Sequence, residues 1–190
     1  MAGRYILPAA EVLRPLQQGK LSSMCGLYSV LNGIRLALYP QQLSRPQLQQ
    51  AYRFAVKHLS SRRQLTRVLG VGMDYGVWAE LRDELIAYVN AHHHAKLRAA
   101  PTLTGTAGLA PKRAIATIGA SVRAGSPVLV ALGGALNHYT VISGISDQRL
   151  MLFDSSNFHW LQKANVGVGE ASRRRHWILT DQVWTIVDDW

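Results

Sequence analysis

From Met24 to Leu38 the apolar residues fall at positions 24, 27, 28, 31, 34 and 38, one stripe of a 3.6-residue period. The spacing predicts a helix over 24–38. Ser44-Arg-Pro-Gln47 has the form of a capping box with Pro46 in the first turn, and Leu48, Ala51, Tyr52, Ala55 and Leu59 continue one face of a second helix. Asp74 is placed to cap a third, which runs through Val77, Trp78, Leu81, Leu85, Ile86 and Val89. A fourth is predicted to open at Pro111 and to pass through Ile115, Ile118 and Val122 to Gly125.

After Gly125 the period changes. Pro127-Val-Leu-Val-Ala-Leu132 is a short apolar run bounded by Ser-Pro and Gly133-Gly134, the pattern of a buried strand. His138-Tyr-Thr-Val-Ile-Ser and Arg149-Leu-Met-Leu-Phe153 flank a turn at Ser146-Asp147 and read as an antiparallel hairpin. His176-Trp-Ile-Leu and Val183-Trp-Thr-Ile-Val187 predict two further strands, with a Gly-, Ser- and Arg-rich loop over 157–175 before them. Helices first and strands second indicate an α+β fold: a single domain over 1–190, with a helical lobe at about 1–125 and a β-sheet lobe at about 126–190. The cleft between two such lobes is a natural site.

Composition fits that picture. The 190 residues are 48% hydrophobic and 17% charged, which suits one globular domain and not a disordered chain. No apolar run approaches the ~20 residues of a membrane span. The start, Met1-Ala-Gly-Arg-Tyr-Ile-Leu-Pro8, has too short an apolar stretch for a signal peptide. The expectation is a cytoplasmic protein, or one delivered into another cell without a cleavable signal. A single cysteine, Cys25, excludes an intramolecular disulfide and a cysteine-rich zinc site. No cofactor is expected.

Taken alone, Cys25 reads as a small core residue, the usual fate of a free cysteine. Its position argues for more. It follows Ser22-Ser23, favoured N-cap residues, and opens the first amphipathic stripe, so it falls in a helix's first turn. There the unpaired N–H groups and the dipole lower a thiol's pKa, and the thiolate is the nucleophile. Gly26 is expected to leave room beside the sulfur for a substrate.

His138 begins a predicted strand after Gly133-Gly-Ala-Leu-Asn137, and Asp154 ends the next one. A turn at 145–147 brings position 138 near position 154, where opposed side chains lie ~5 Å apart at Cβ. A carboxylate on one imidazole nitrogen orients the ring and leaves the other for a nucleophile. Gln17-Gln18-Gly19-Lys20 is a turn-like segment with a glutamine amide able to reach the helix start. With the Cys25 backbone N–H, such an amide would make an oxyanion hole, where losing one donor costs roughly 3–4 kcal/mol.

Gln18-Gly-Lys-Leu-Ser-Ser-Met-Cys25-Gly26, followed by an apolar helix, resembles the active-site helix of the papain-like cysteine peptidases. Asn137-His138-Tyr-Thr-Val-Ile-Ser-Gly144 and Leu152-Phe-Asp154 resemble the His and Asp strands of that superfamily's bacteriocin-leader-processing branch. The resemblance implies a papain-like fold with Cys25 as nucleophile, His138 as base, Asp154 as orienting acid and Gln18 as oxyanion donor. Gln18 stands seven residues before the cysteine, where the family usually has six, and Ser155 follows Asp154 where leader-processing enzymes commonly have Pro. The implied function is a thiol hydrolase that cleaves an amide through an acyl-enzyme, most simply a cysteine peptidase acting on a protein or peptide. A protein glutamine deamidase would use the same groups. A non-catalytic binding module with a basic surface is the reading from another class.

Charge bears on partners. The net charge is +10 and the pI near 10.3, which favours acidic partners, yet the basic residues are dispersed and only Arg173-Arg174-Arg175 forms a run. A solvated basic surface is expected, without a specific nucleic-acid site, and the arginine run is the expected docking point for an acidic substrate surface. His92-His93-His94 point some 100° apart on a helix and cannot converge on one metal ion. Gly70-Val-Gly72 lacks the context of a nucleotide loop. Trp78, Trp160, Trp177, Trp184 and Trp190 read as core or cleft wall.

Overall fold

The computed structural model describes residues 3–19, 22–103, 109–169 and 172–189. Among them are six α-helices and one eight-stranded, mostly antiparallel sheet. The chain runs β1 (Tyr5–Ile6), α1 (Pro8–Val12), α2 (Cys25–Ala37), α3 (Arg45–Ser61), α4 (Leu65–Val71), α5 (Tyr75–His93), β2 (Leu97–Pro101) and α6 (Pro111–Arg123). It continues with β3 (Val128–Gly134), β4 (His138–Ile145), β5 (Arg149–Leu152), β6 (Trp160–Gln162), a 3-10 turn at Lys163–Asn165, β7 (Val166–Val168) and β8 (His176–Asp188). No helix among these residues is long and apolar enough to cross a membrane.

The helices form where the apolar period places them. Ser44 and Gln47 close a reciprocal cap at the start of α3: Gln47 Oε1 accepts from the Ser44 N–H at 2.7 Å, and the Gln47 N–H donates to Ser44 Oγ. Removing the hydroxyl strands one of the helix's first N–H groups. Ser44→Ala is therefore expected to lower stability by about 1 kcal/mol and the melting temperature by about 2–4 °C, read by a thermal scan. Asp74 caps α5, its Oδ1 accepting from the Val77 N–H at 2.9 Å.

The sheet order is β2-β8-β3-β4-β5-β6, with β1 beside β4 and β7 beside β8. Central β3 and β4 are buried on both faces; β3 is accordingly a continuous apolar run instead of an alternating one, while β4 buries the polar His138, Thr140 and Ser143 among its apolar residues. Helix α2 packs on this sheet, and Leu27, Val30, Leu31 and Ile34 meet Leu129, Val141 and Ile186 in one core.

The observed sheet differs from the sequence reading in three ways. Strands β1 and β2 come from the first half of the chain, so that half is not wholly helical. β1 has two residues, and Leu97-Arg-Ala-Ala-Pro101 carries no clear alternation, so neither has a pattern to detect. The two strands predicted at 176–179 and 183–187 are one, β8, whose pairing with β3 shifts register between Val130 and Leu132. Polar Thr180-Asp181-Gln182 marks that irregularity and not a chain break. Finally, the expected loop over 157–175 carries β6, the 3-10 turn and β7, each three residues long.

Candidate active site

Cys25 is the first residue of α2 and partly exposed. Neither serine caps the helix: Met24 holds that position with no side-chain capping bond, because Ser23 donates its N–H to the Leu69 carbonyl and Ser22 bonds back to Gly19. The first N–H groups of α2 thus stay uncapped beside the sulfur. Gly26 serves the interior and not a substrate. It is buried, and a Cβ there would meet Trp78 Cδ1 at 2.9 Å and Met73 Sδ at 3.0 Å.

His138 is the first residue of β4, paired with Leu132 of β3. Asn137 before it adopts φ 43°, a left-handed conformation that Asn tolerates, and this completes the sharp return from β3. The β4–β5 ladder ends at Leu152, so Asp154 lies beyond the strand and not in register opposite His138. The side chains nevertheless meet. His138 Nε2 and Asp154 Oδ2 are 2.7 Å apart and both groups are buried. Asp154 Oδ1 accepts from the N–H groups of Ser156 at 2.7 Å and Phe158 at 3.3 Å, which fixes the carboxylate in a turn of its own making.

With Nε2 engaged, Nδ1 is the ring nitrogen left for Cys25, which lines the same cleft. Burial pushes the thiol up, but the His138 hydrogen bond and charge, followed by the Tyr139 and Gly26 N–H groups, hold it below its ordinary value of 9.0. Burial alone would depress the imidazole, yet Asp154 and then Cys25 raise it to about 9. Asp154 is disfavoured as an anion by burial and held low by His138. The three groups thus favour a thiolate, an imidazolium and a carboxylate in one chain of contacts.

The two glutamines separate. Gln17 Nε2 donates to the Asp154 carbonyl at 3.1 Å, while Gln18 lines the cleft with Cys25 and His138. Gln18 is tied to the Asp154 turn through its N–H on the Ser155 carbonyl at 3.0 Å and Nε2 on Ser156 Oγ at 2.6 Å. Its Oε1 is buried without a partner. A half-turn of the carboxamide exchanges the two atoms, lets Oε1 accept from the Ser156 hydroxyl and frees an N–H donor.

The cleft has a volume of about 510 Å³. One wall is the stretch from Val71 to Tyr75 between α4 and α5, turned by Gly72 at φ 102°, a conformation open to glycine. The other includes Leu136, Asn137, Leu179 and Gln182. A larger cavity, about 660 Å³ beside β1 and β5, lies away from Cys25, and its lining holds no cysteine. Below the cleft, Trp78 stacks on Tyr139 at 4.8 Å and donates Nε1 to Ser29 Oγ, and the Tyr139 hydroxyl donates to Gln182.

Sequence reasoning did not find Phe158, whose ring stands edge-on to His138 at 5.6 Å, nor Ser156. Phe158 lies in the stretch read as a loop and Ser156 just before it, and no periodic signal marks either. Of the tryptophans, Trp78 is fully buried, but Trp160 is a surface residue under the Arg149 guanidinium, 46% exposed; Trp190 lies outside the described residues, as do Lys20 and Leu21 of the glutamine-to-cysteine segment. None of the described tryptophans lines the cleft. His92 stacks on Tyr88, and His93 meets Gln47.

Comparison of the chain with protein-family models, with curated proteins and with solved structures gives no match.

Proposed function

We propose that the chain is a papain-like thiol hydrolase that cleaves backbone amides of a protein or peptide. The observation that carries this reading is the His138–Asp154 bond of 2.7 Å, with the second ring nitrogen turned to a cysteine at a helix start. The Cys25 thiolate attacks the amide carbonyl and forms the C–S bond. The resulting oxyanion is held by the Cys25 N–H, which as the first of α2 has no intrahelical acceptor, and by the Gln18 amide in its exchanged orientation. The His138 imidazolium gives its proton to the departing amine as the C–N bond breaks. Neutral His138 then takes a proton from water as its oxygen attacks the thioester, and the C–S bond breaks to release the acid and restore the thiolate–imidazolium pair.

The test uses an epoxide or chloromethyl-ketone peptide probe on the purified chain, followed by mass spectrometry of a mixed protein substrate. Single-site labelling at Cys25 and new chain termini are expected, both absent in Cys25→Ala. A mass gain of about 1 Da with ammonia release and intact chains would replace peptidase by deamidase. Absence of labelling, together with no product of either kind, would sink the hydrolase reading.

A further inference from the structure

A separate cavity of about 500 Å³ opens between α6, the β4–β5 turn and the segment leading into β8, and shares no lining residue with the cleft. Its floor is apolar: Ile115 of α6, Ile145 at the end of β4 and Val166 at the start of β7. Its rim is cationic. Lys112 and Arg123 come from the two ends of α6, Lys163 from the 3-10 turn and Arg174 from the arginine run, against one lining carboxylate, Asp147.

None of these four cations is in an ion pair among the described residues, whereas Arg62, Arg67, Arg82 and Arg98 all are. Two are fixed by the main chain, with donors to spare: Lys163 Nζ donates to the Ser146 carbonyl at 2.6 Å and Arg174 Nη1 to the Ala164 carbonyl at 2.7 Å. Burial and then the neighbouring Arg123 charge hold the Lys163 ammonium below its ordinary value, with Asp147 opposing them in part. At the Lys112 side helix α6 adds its positive end, since Ala110 supplies no side-chain cap, while Arg123 stands at the negative end.

We propose that this cavity binds a small organic polyanion, its clustered phosphates among Lys112, Arg123, Lys163 and Arg174 and its body on Ile115, Ile145 and Val166. The volume suits one small molecule. Four cations around so small a space match clustered charge and not the carboxylates of an acidic peptide, which are spaced along a chain. A nucleoside triphosphate and a cyclitol polyphosphate share this chemistry. The proposal rests on none of the groups assigned to hydrolysis.

Calorimetric titration of the full chain with ATP, inositol hexakisphosphate and tripolyphosphate at 150 mM salt tests it. One site of micromolar affinity is expected for an organic ligand, and the tighter of the first two identifies the body. Lys112→Gln with Arg123→Gln, both exposed and away from the core, should weaken it at least tenfold, as expected for lost charge-assisted hydrogen bonds. Asp147→Asn should tighten it several-fold, a gain that no folding defect produces. Arg53→Gln with Lys57→Gln on α3 should leave it unchanged. An equal loss in that α3 pair, tripolyphosphate matching both organic ligands, or weak multi-site binding at this salt would overturn the proposal, because each is the behaviour of diffuse net charge.

Discussion

Cys25→Ser and His138→Ala are each expected to lower kcat/KM on a peptide substrate by about 10⁴-fold or more, since nucleophile and base act as a unit. Cys25 is partly exposed at a helix start, so its replacement should leave the melting temperature near wild type. The pH profile carries a sharper signature. The thiol sits below 9.0 and the imidazole at about 9, so thiolate and imidazolium coexist between the lowered thiol value and about pH 9. Hydrolysis should fall on the acid side as the thiolate is protonated, and on the alkaline side near pH 9 as the imidazolium loses the proton owed to the leaving amine. Alkylation of Cys25 needs only the thiolate and should show the acid limb alone. A labelling rate that rises only near pH 9, as for an ordinary thiol, would contradict the ion pair.

Asp154 is expected to matter for folding as well as for rate. Its side chain is fully buried, binds His138, and receives two N–H groups of its own turn. Asp154→Ala leaves an imidazolium and those donors unpaired, so a loss of about 3–5 kcal/mol is expected, or roughly 10 °C in melting temperature. Asp154→Asn keeps an acceptor and removes the charge. It should retain far more activity than Cys25→Ser, because an amide can orient the imidazole in a cysteine–histidine site. The charge itself shows in the pH dependence of stability. His138 is raised in the fold, so its contribution is fully present below pH 6.5 and fades as pH rises through about 9. Asp154 is lowered, so its contribution is present above 3.8 and is lost as pH falls through its folded value. The melting-temperature gap between wild type and Asp154→Asn should therefore be widest near pH 5–6 and close in both directions. A gap independent of pH would mean that Asp154 acts only through its turn.

Local chemistry made much of this protein legible in the sequence. The 3.6-residue stripe set α2, Ser44 with Gln47 set the start of α3, Asp74 set that of α5, and Pro111 set that of α6. Each depends on side chains within a turn of one another, so one dimension suffices. The same holds for Cys25 in the first turn of α2 and for the β4–β5 hairpin, which contacts across a short turn fix. Other features required the third dimension. The Asp154 carboxylate reaches His138 only because the chain leaves β5 two residues early and curls on two of its own N–H groups, where a straight ladder was expected. Met24 displaced the serines as cap because Ser23 bonds a distant carbonyl on α4, and Gly26 faces Trp78, a residue 52 positions later, instead of substrate. The second glutamine is distinguished from the first by lining the cleft with Cys25 and His138, since both are tied to the Asp154 turn. The polyanion cavity, assembled from α6, a 3-10 turn and an arginine run, has no sequence signature, since its charges are dispersed along the chain and only packing gathers them. Contacts within a few residues are written in the local pattern. Those between segments a hundred residues apart are decided by how the sheet brings its edges together.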